Sequence, residues 1–401
     1  MLLIKNGKLL TMSGTDYDIG YILVGEGKII EVGEMTSAIE KKFAKIKKPL
    51  TVLDAEGKYI LPGLVDAHCH VGMWGDSVGF EGEDGNEMTD PIMPHLKAVD
   101  GIYHMDRAFT EAVQNGVTTV VTGPGSANVI GGQFVALKTF GRRIEEMVVK
   151  DPVAVKIAFG ENPKTVYNER KQTPTTRMAT AALLRESFER AKEYKELLEK
   201  YQNEPEENDK PDYDIKLEAL VKVLKREIPL KAHAHRADDI LTAIRIAKEF
   251  NLRLTIEHCT EGHLICDILV DEGIPAIVGP SLTDRSKVEL RNLSLKTPGI
   301  LAKAGVKTAI MTDHPCTPIQ YLTLCAAMAV REGMDEQEAL KAITINAAEL
   351  TEIGDRVGSL EKGKDADIVI FDGHPFEFRT RVVTTIINGK IVYERDGNER
   401  V

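Results

Sequence analysis

The chain has 401 residues, a length that allows two or three domains or one large barrel with an appendage. Its 51 basic and 62 acidic side chains give a net charge of -11, which argues against nucleic-acid or anionic-lipid partners. The five cysteines include no CxxC pair, which favours a reducing compartment over a disulfide framework. No signal-like start or apolar run of about 18 residues is visible, so we expect a cytoplasmic protein.

Both ends of the chain have the pattern of antiparallel sheet. Asn6-Gly7 and Glu26-Gly27 separate short apolar runs within residues 1–34, and Asn388-Gly389 separates two β-branched runs near the other end. Asn-Gly favours a hairpin because a type I′ turn needs positive φ at both central residues. We therefore expect residues 1–58 and 359–401 to join in one small domain.

The middle of the chain, residues 59–358, alternates β-rich runs with helical patterns, which predicts βα units and a parallel sheet. A helical stripe between 184 and 201 and a polar loop at 203–212 form an insertion. Eight runs are candidate strands, the number in a closed (β/α)8 barrel. They cover residues 59–65, 117–122, 134–139, 154–159, 229–233, 253–258, 275–278 and 306–312.

Two histidines close the first of these runs. His68 and His70 follow Pro-Gly-Leu-Val-Asp, and residues at i and i+2 share one face of an extended strand. Two imidazoles on one face make a clamp for a divalent metal such as Zn²⁺. Barrel enzymes place their chemistry at the carboxyl ends of the strands, which is where this pair lies.

The stretch LPGLVDAHCH resembles the first-strand signature of the metal-dependent amidohydrolase superfamily, in its imidazolonepropionase-related branch. NGVTTVVTGPGS, LTIEHCTEGH and IMTDHP resemble the second, sixth and eighth strands, and GSLEKGKDADIVIFDG resembles the return into the small sheet. The resemblance implies a (β/α)8 TIM barrel with one or two divalent metals and a small β-sandwich built from both termini. Zinc is the expected metal, with manganese and iron as alternatives.

The same resemblance assigns further ligands, each at a strand end. His258 matches the sixth-strand ligand, and Asp313 matches the eighth-strand carboxylate that touches metal and takes the water proton. His233 matches the fifth-strand ligand, whereas His235, two residues later, faces either substrate or metal.

The fourth strand offers two candidates for a group that bridges two metals. Some relatives use a carboxylated lysine and others a glutamate, which correspond here to Lys156 and Glu161. Residues five apart in a regular strand face opposite sides, so only one of them is expected to be a ligand. We favour Glu161, because it carries a ready-made carboxylate just past the strand end.

These assignments predict hydrolysis of a C–N bond in an amide, cyclic amide or amidine. A bound divalent metal lowers the pKa of water from 15.7 to about 7, and Asp313 would serve as the general base. The alternatives are a metallo-peptidase of the dipeptidase or carboxypeptidase kind and a non-enzymatic scaffold of the same fold. We expect a small-molecule substrate and a homo-oligomer. Arg177, Arg236 and Arg285 are candidates to bind a substrate carboxylate, although a surface role is favoured for each.

Overall fold

The computed structural model describes residues 1–46, 48–75 and 79–395. Its strands are β1 (Leu2–Leu9), β2 (Tyr17–Gly25), β3 (Lys28–Glu34), β4 (Thr51–Asp54), β5 (Tyr59–Pro62), β6 (Leu64–Cys69), β7 (Val117–Thr122), β8 (Ile130–Lys138), β9 (Val148–Ala158), β10 (Leu230–Ala234), β11 (Leu254–His258), β12 (Ala276–Val278), β13 (Thr308–Ile310), β14 (Ile368–Phe371), β15 (Val382–Ile387) and β16 (Lys390–Glu394).

The helices are α1 (Ser37–Phe43), α2 (Ala98–Gly101), α3 (Arg107–Gln114), α4 (Ile144–Met147), α5 (Glu161–Glu169), α6 (Arg177–Asn203), α7 (Ile215–Leu224), α8 (Ala237–Glu249), α9 (Cys266–Asp271), α10 (Thr297–Ala304), α11 (Leu322–Arg331), α12 (Glu336–Ala342) and α13 (Ile345–Leu350). Among the described helices, none combines the length and apolar character that a bilayer span requires. The predicted insertion helix is α6, which is longer than the predicted stripe.

Strands β6 to β13 form an eight-stranded, barrel-like sheet in which each strand neighbours the next. The sheet nearly closes on itself beyond the end of β13. There the Asp313 amide donates to the His68 carbonyl at 3.2 Å, and the His70 amide donates to the His314 carbonyl at 2.9 Å. Backbone bonds between the end of β6 and the segment that follows β13 therefore bring the sequence-predicted histidines and Asp313 together.

The third barrel strand departs from the predicted (β/α)8 pattern. Strand β8 pairs antiparallel with both β7 and β9, whereas the other ladders of this sheet are parallel. A parallel connection needs a crossover of a dozen or more residues, and residues 123–129 between β7 and β8 are too few for one. The chain therefore turns back as a hairpin at this position.

The first predicted run, residues 59–65, is divided between two sheets. Strand β5 pairs with β1 and β14 in a second sheet, and β6 begins the barrel after Gly63. A side chain at Gly63 would collide with Thr118 of β7, so glycine permits the close approach of the two sheets.

The second sheet is built from both ends of the chain. Its order is β16-β15-β14-β5-β1-β2-β3, with β4 also paired to β1. Glu26-Gly27 and Asn388-Gly389 are the predicted hairpin turns, and all four residues have positive φ. Asn6-Gly7 is not a turn, because β1 continues through it with a register shift. At this position the Asn-Gly pair forms a β-bulge within the strand instead of a hairpin turn.

A buried ion cluster joins the two sheets. Lys138 Nζ, at the end of β8, lies 2.9 Å from Asp365 Oδ2 and 2.5 Å from Asp367 Oδ2. Arg356 and Lys28 also contact Asp365, at 2.8 Å and 2.5 Å. The buried ammonium of the barrel is thus neutralised by carboxylates of the segment that leads into β14.

Candidate functional site

The carboxyl ends of β6, β10, β11 and β13 converge on one cluster of imidazoles and a carboxylate. Two overlapping groups have ligand atoms within 4.8 Å of one another, and every member is buried. The first group contains His68, His258 and Asp313, and the second contains His233, His235 and His258. The residues that the sequence places at four separate strand ends therefore meet in space.

The first-strand pair faces the carboxylate of Asp313. His70 Nε2 lies 3.2 Å from Asp313 Oδ1, and His68 Nε2 lies 3.6 Å from the same oxygen. His70 Nδ1 donates to the Gly123 carbonyl at 2.7 Å, which fixes the ring and leaves Nε2 directed at the cluster.

Two members of the cluster have strained backbone conformations. His258 has φ of 69° and Asp313 has φ of 53°, in the left-handed region that non-glycine residues rarely adopt. The turn at His258 brings its side chain into the cluster although Glu257, the preceding residue, already points into the barrel. Such strain costs about 1–3 kcal/mol per residue and concentrates at functional sites.

In the second group, His233 lacks, within the part of the chain that the structure describes, the hydrogen bonds that a buried imidazole normally makes. His258 Nδ1 donates to the Gly279 carbonyl at 2.8 Å, and His235 Nδ1 hydrogen-bonds with Thr260 Oγ1 at 2.7 Å. Neither ring nitrogen of His233 has a hydrogen-bond partner within the described residues, although the residue is only 2 % exposed. An uncompensated buried polar atom is costly, and a metal ion would satisfy it.

The structure places the two fourth-strand candidates differently from the sequence argument. Lys156 Nζ is fully buried and lies 3.1 Å from His68 Nε2. Gly160, with φ of 81°, turns the chain after β9, so Glu161 begins α5 in the cavity wall and belongs to neither His/Asp group. Lys156 therefore contacts the first-strand histidines, whereas Glu161 lines the cavity beside the cluster, and the prediction that Glu161 bridges two metals stays a prediction.

Behind the cluster lies a second layer of buried charge that the sequence analysis missed. Glu257 Oε2 is 2.7 Å from His68 Nδ1 and 3.0 Å from Lys231 Nζ. Lys156 and Lys231 lie 5.5 Å and 5.6 Å from the centre of the Phe134 ring. The alternation of side chains along β10 could have identified Lys231, because it precedes His233 by two residues and therefore lies on the same face of the strand.

A third missed residue, Glu289, follows β12. Its side chain is 1 % exposed, and Oε1 lies 3.7 Å from His235 Nε2 and 3.9 Å from His233 Nε2. Oε2 accepts a hydrogen bond from the Glu161 amide at 2.9 Å. No regular strand or helix pattern marks this position, so only the folded chain reveals that it faces the histidines.

Burial keeps the imidazoles in the neutral form that binds metals. It lowers the pKa of His68, His233 and His258 well below the usual range, and neighbouring cationic groups add to the effect. Burial also lowers the pKa of His235 to about 3 and that of Lys156 to about 8.

The carboxyl of Asp313 behaves in the opposite way. Burial alone would raise its pKa, but the hydrogen bond and charge of His70 and the charge of Lys156 outweigh burial, and the pKa is lowered. Asp313 is thus ionised at neutral pH and able to accept a proton.

A cavity of about 570 Å³ opens onto the cluster. Its wall includes His70, His233, His235, His258 and Asp313, together with Trp74, Glu161 and Lys287. None of the three predicted arginines lines it. Arg177 pairs with Asp239 at 2.9 Å, Arg236 pairs with Asp238 at 2.8 Å, and Arg285 donates to the Leu293 carbonyl at 3.1 Å.

Among the known proteins that this chain resembles are two amidohydrolases and an imidazolonepropionase. The chain is 28% identical over 400 residues to amidohydrolase tasK of Hapsidospora irregularis, covering 94% of this chain but only 40% of that protein's length. It is 27% identical to an imidazolonepropionase of Caldanaerobacter subterraneus subsp. tengcongensis, covering 92% of this chain and 89% of that protein. A crystal structure of an amidohydrolase from Thermotoga maritima MSB8 is 44% identical, with a TM-score of 0.93 over 98% of this chain and all of that one.

The amidohydrolase family profile matches residues 59–392, which include every member of the buried cluster. The chain therefore belongs to the amidohydrolase family of hydrolases that act on C–N bonds.

Proposed function

We propose that this protein is a metal-dependent hydrolase of an amide, cyclic amide or amidine. The observation that carries the proposal is the buried group of neutral histidines and one ionised carboxylate at the floor of the cavity. The unpartnered nitrogens of His233 support a bound cation, since neutral imidazole is a preferred ligand of zinc. Manganese and iron are alternatives.

We propose that His68, His70 and Asp313 hold one cation and that His233 and His258 hold a second. When bound, such cations supply electrophilic activation of the scissile group and of water. His235 would contact the substrate, because its Nε2 borders the cavity while Nδ1 is engaged with Thr260. Glu289 would orient His233 and His235 from behind.

We propose that the neutral amine of Lys156 would react with CO₂ to give a carbamate and a proton, and that the added carboxylate would help to hold the cations. The location of Nζ 3.1 Å from His68 supports this role, as does the pKa of about 8, which leaves part of the amine neutral near pH 7. The added carboxylate would also remove an unpaired buried ammonium from the cluster. Glu161 as the bridging group remains the competing assignment.

Asp313 would act as the general base. Its carboxylate is ionised and exposed to the cavity, so it can accept a proton from the attacking water and return it to the leaving nitrogen.

The proposal also concerns the small domain that is built from both ends of the chain. The second sheet would fold over as a small β-sandwich, since Ile29 of β3 and Ile386 of β15 share one apolar core although their strands are far apart in the sheet. The first domain boundary, predicted after residue 58, would then lie at Gly63, because β5 belongs to the second sheet.

We further propose that the protein is a cytoplasmic homo-oligomer. The five described cysteines are free, which supports a reducing compartment.

The decisive experiment is a hydrolysis screen of the zinc- and manganese-loaded protein. Cyclic amides, cyclic ureides, amidines and linear N-acyl compounds are compared with dipeptides, with amine or ammonia release as the readout. Preferential cleavage of dipeptides would replace this proposal with the metallo-peptidase alternative. Failure to bind any divalent metal, together with no turnover, would favour the non-enzymatic scaffold.

A further inference from the structure

Lys287 places a positive charge in the wall of the cavity. Among the lining residues within the described parts of the chain, it is the one lysine, and no arginine accompanies it. Its Nζ donates to Asn162 Oδ1 at 2.5 Å. No ion pair joins Lys287 to a carboxylate of the described residues, so its charge is free to meet that of a ligand.

The surroundings of Lys287 hold it in place. Asn162 accepts from Lys287 and donates through Nδ2 to Ser126 Oγ at 2.7 Å, so the amide is oriented by two contacts. Two residues after Lys287, Glu289 accepts from the Glu161 amide and thereby fixes this loop against the start of α5. Lys287, Asn162 and Ser126 thus form a preorganised polar corner in the wall of the cavity that also contains Asp313.

We infer that this corner binds a carboxylate of the substrate, so that the enzyme acts on amides whose non-reacting portion carries one negative charge. N-acyl amino acids and carboxylated cyclic amides are the classes that fit. This inference rests on the proposed function, because it assumes that the scissile C–N bond lies near Asp313.

The charge balance favours a monoanion. One half-buried ammonium can neutralise one carboxylate, and the Ser126 hydroxyl and the Asn162 amide offer neutral hydrogen-bonding groups beside it. A phosphate dianion would leave one charge uncompensated at this corner, where Lys287 supplies a single positive charge. The corner is therefore better suited to a carboxylate than to a phosphate.

The chain contains a built-in reporter for the test. Trp74 is the only tryptophan, lines the same cavity and stacks edge-on to His70 with ring centres 4.8 Å apart. We would titrate zinc-loaded wild type with the N-acetyl derivatives of glycine, methionine and phenylalanine and with the matched carboxamides. Stopped-flow tryptophan fluorescence would record binding before turnover.

We expect at least one acid to bind about tenfold or more tightly than its amide, as a charge-assisted hydrogen bond predicts. Lys287→Met should abolish this preference, and Lys287→Arg should retain most of it. Lys303→Met removes the same charge from an exposed site on α10 and should leave the preference unchanged. Thermal melting of each variant checks that it is folded.

Three outcomes would overturn the inference. They are equal or weaker binding of every acid relative to its amide, persistence of the preference in Lys287→Met, and tighter binding of the matching N-acetyl aminophosphonate. These outcomes are distinct from failure of the proposed function. That failure would appear as no C–N hydrolysis in the screen, whereas the fluorescence titration records binding alone.

Discussion

Replacing Lys156 with methionine is expected to stabilise the metal-free protein while removing its capacity for two metals. The side chain is completely buried, and burial lowers the pKa of its ammonium from the usual 10.5 to about 8. At about 1.36 kcal/mol per pH unit, this difference corresponds to roughly 3 kcal/mol by which the charge destabilises the native state at pH 7. Methionine has a similar volume and carries no charge, so the free energy of unfolding should rise by up to that amount.

The pH dependence of the metal-free protein follows from the same pKa. Between pH 8 and 10.5 the unfolded chain holds a proton on Lys156 that the native state has released. Stability conferred by this group therefore increases as pH rises through that window. The stabilising effect of the substitution should be largest at pH 7 and should nearly disappear above pH 10.5.

Urea unfolding of the metal-free proteins at pH 7 and pH 10, followed by circular dichroism, measures this effect. Lys231→Met is the matched control, because Lys231 is as buried over the same Phe134 ring but pairs with Glu257 at 3.0 Å. Burial lowers the pKa of Lys231 as well, but its removal leaves the buried Glu257 carboxylate without its ammonium and should destabilise the protein by about 3–5 kcal/mol. The two substitutions are therefore expected to change the free energy of unfolding in opposite directions.

Metal analysis after growth in excess zinc completes the experiment. Lys156→Met should fall to one equivalent or fewer, and Glu161→Gln should keep its metals, because Glu161 lies outside the cluster. If Lys156→Met is destabilised by 2 kcal/mol or more at pH 7, the electrostatic reasoning is wrong. If it keeps its metals while Glu161→Gln loses them, the bridging assignment returns to Glu161.

The remaining predictions concern the metals and the residues that contact them. The purified protein should hold between one and two equivalents of a divalent transition metal, and less than a tenth of an equivalent after reconstitution with zinc, manganese or iron would contradict the metal centre. Asp313→Asn should lower kcat by about 10²- to 10⁴-fold on any substrate found, since an amide cannot accept the water proton; half of the wild-type kcat would exclude Asp313 as the base. Glu289→Gln should weaken metal affinity by about 10- to 100-fold, as loss of a carboxylate behind ligating histidines commonly does. Competition with a fluorescent chelator measures that affinity, and unchanged affinity would limit Glu289 to anchoring Glu161.

Local pattern predicted most of the barrel. Residues 117–122 match β7, and the other predicted barrel strands overlap observed ones because apolar β-branched runs end at polar residues there. The direction of β8 was missed, although the short connection before it could have excluded a parallel crossover. Dividing the run at 59–65 between two sheets required the contact of Gly63 with Thr118, which no local pattern contains.

The site residues could also be predicted where short local motifs determine them, but not where long-range contacts place them. The histidines and Asp313 lie in short motifs at strand ends, so their meeting could be expected from barrel geometry alone. The position of Glu161 in the cavity wall depends on one positive-φ glycine at position 160. Glu289 reaches the histidines from a loop whose path is fixed by distant contacts, which a single sequence does not reveal.

The ion cluster around Lys138 has a consequence for engineering. A barrel expressed without the carboxyl-terminal segment would lose Asp365 and Asp367 and retain a buried ammonium with no counter-charge. Such an uncompensated charge costs about 3–5 kcal/mol, a large share of the stability of an ordinary domain. Chimeras that exchange the catalytic barrel between relatives should therefore carry residues 356–367 with it, since this segment is electrostatically part of the barrel although it leads into the other sheet.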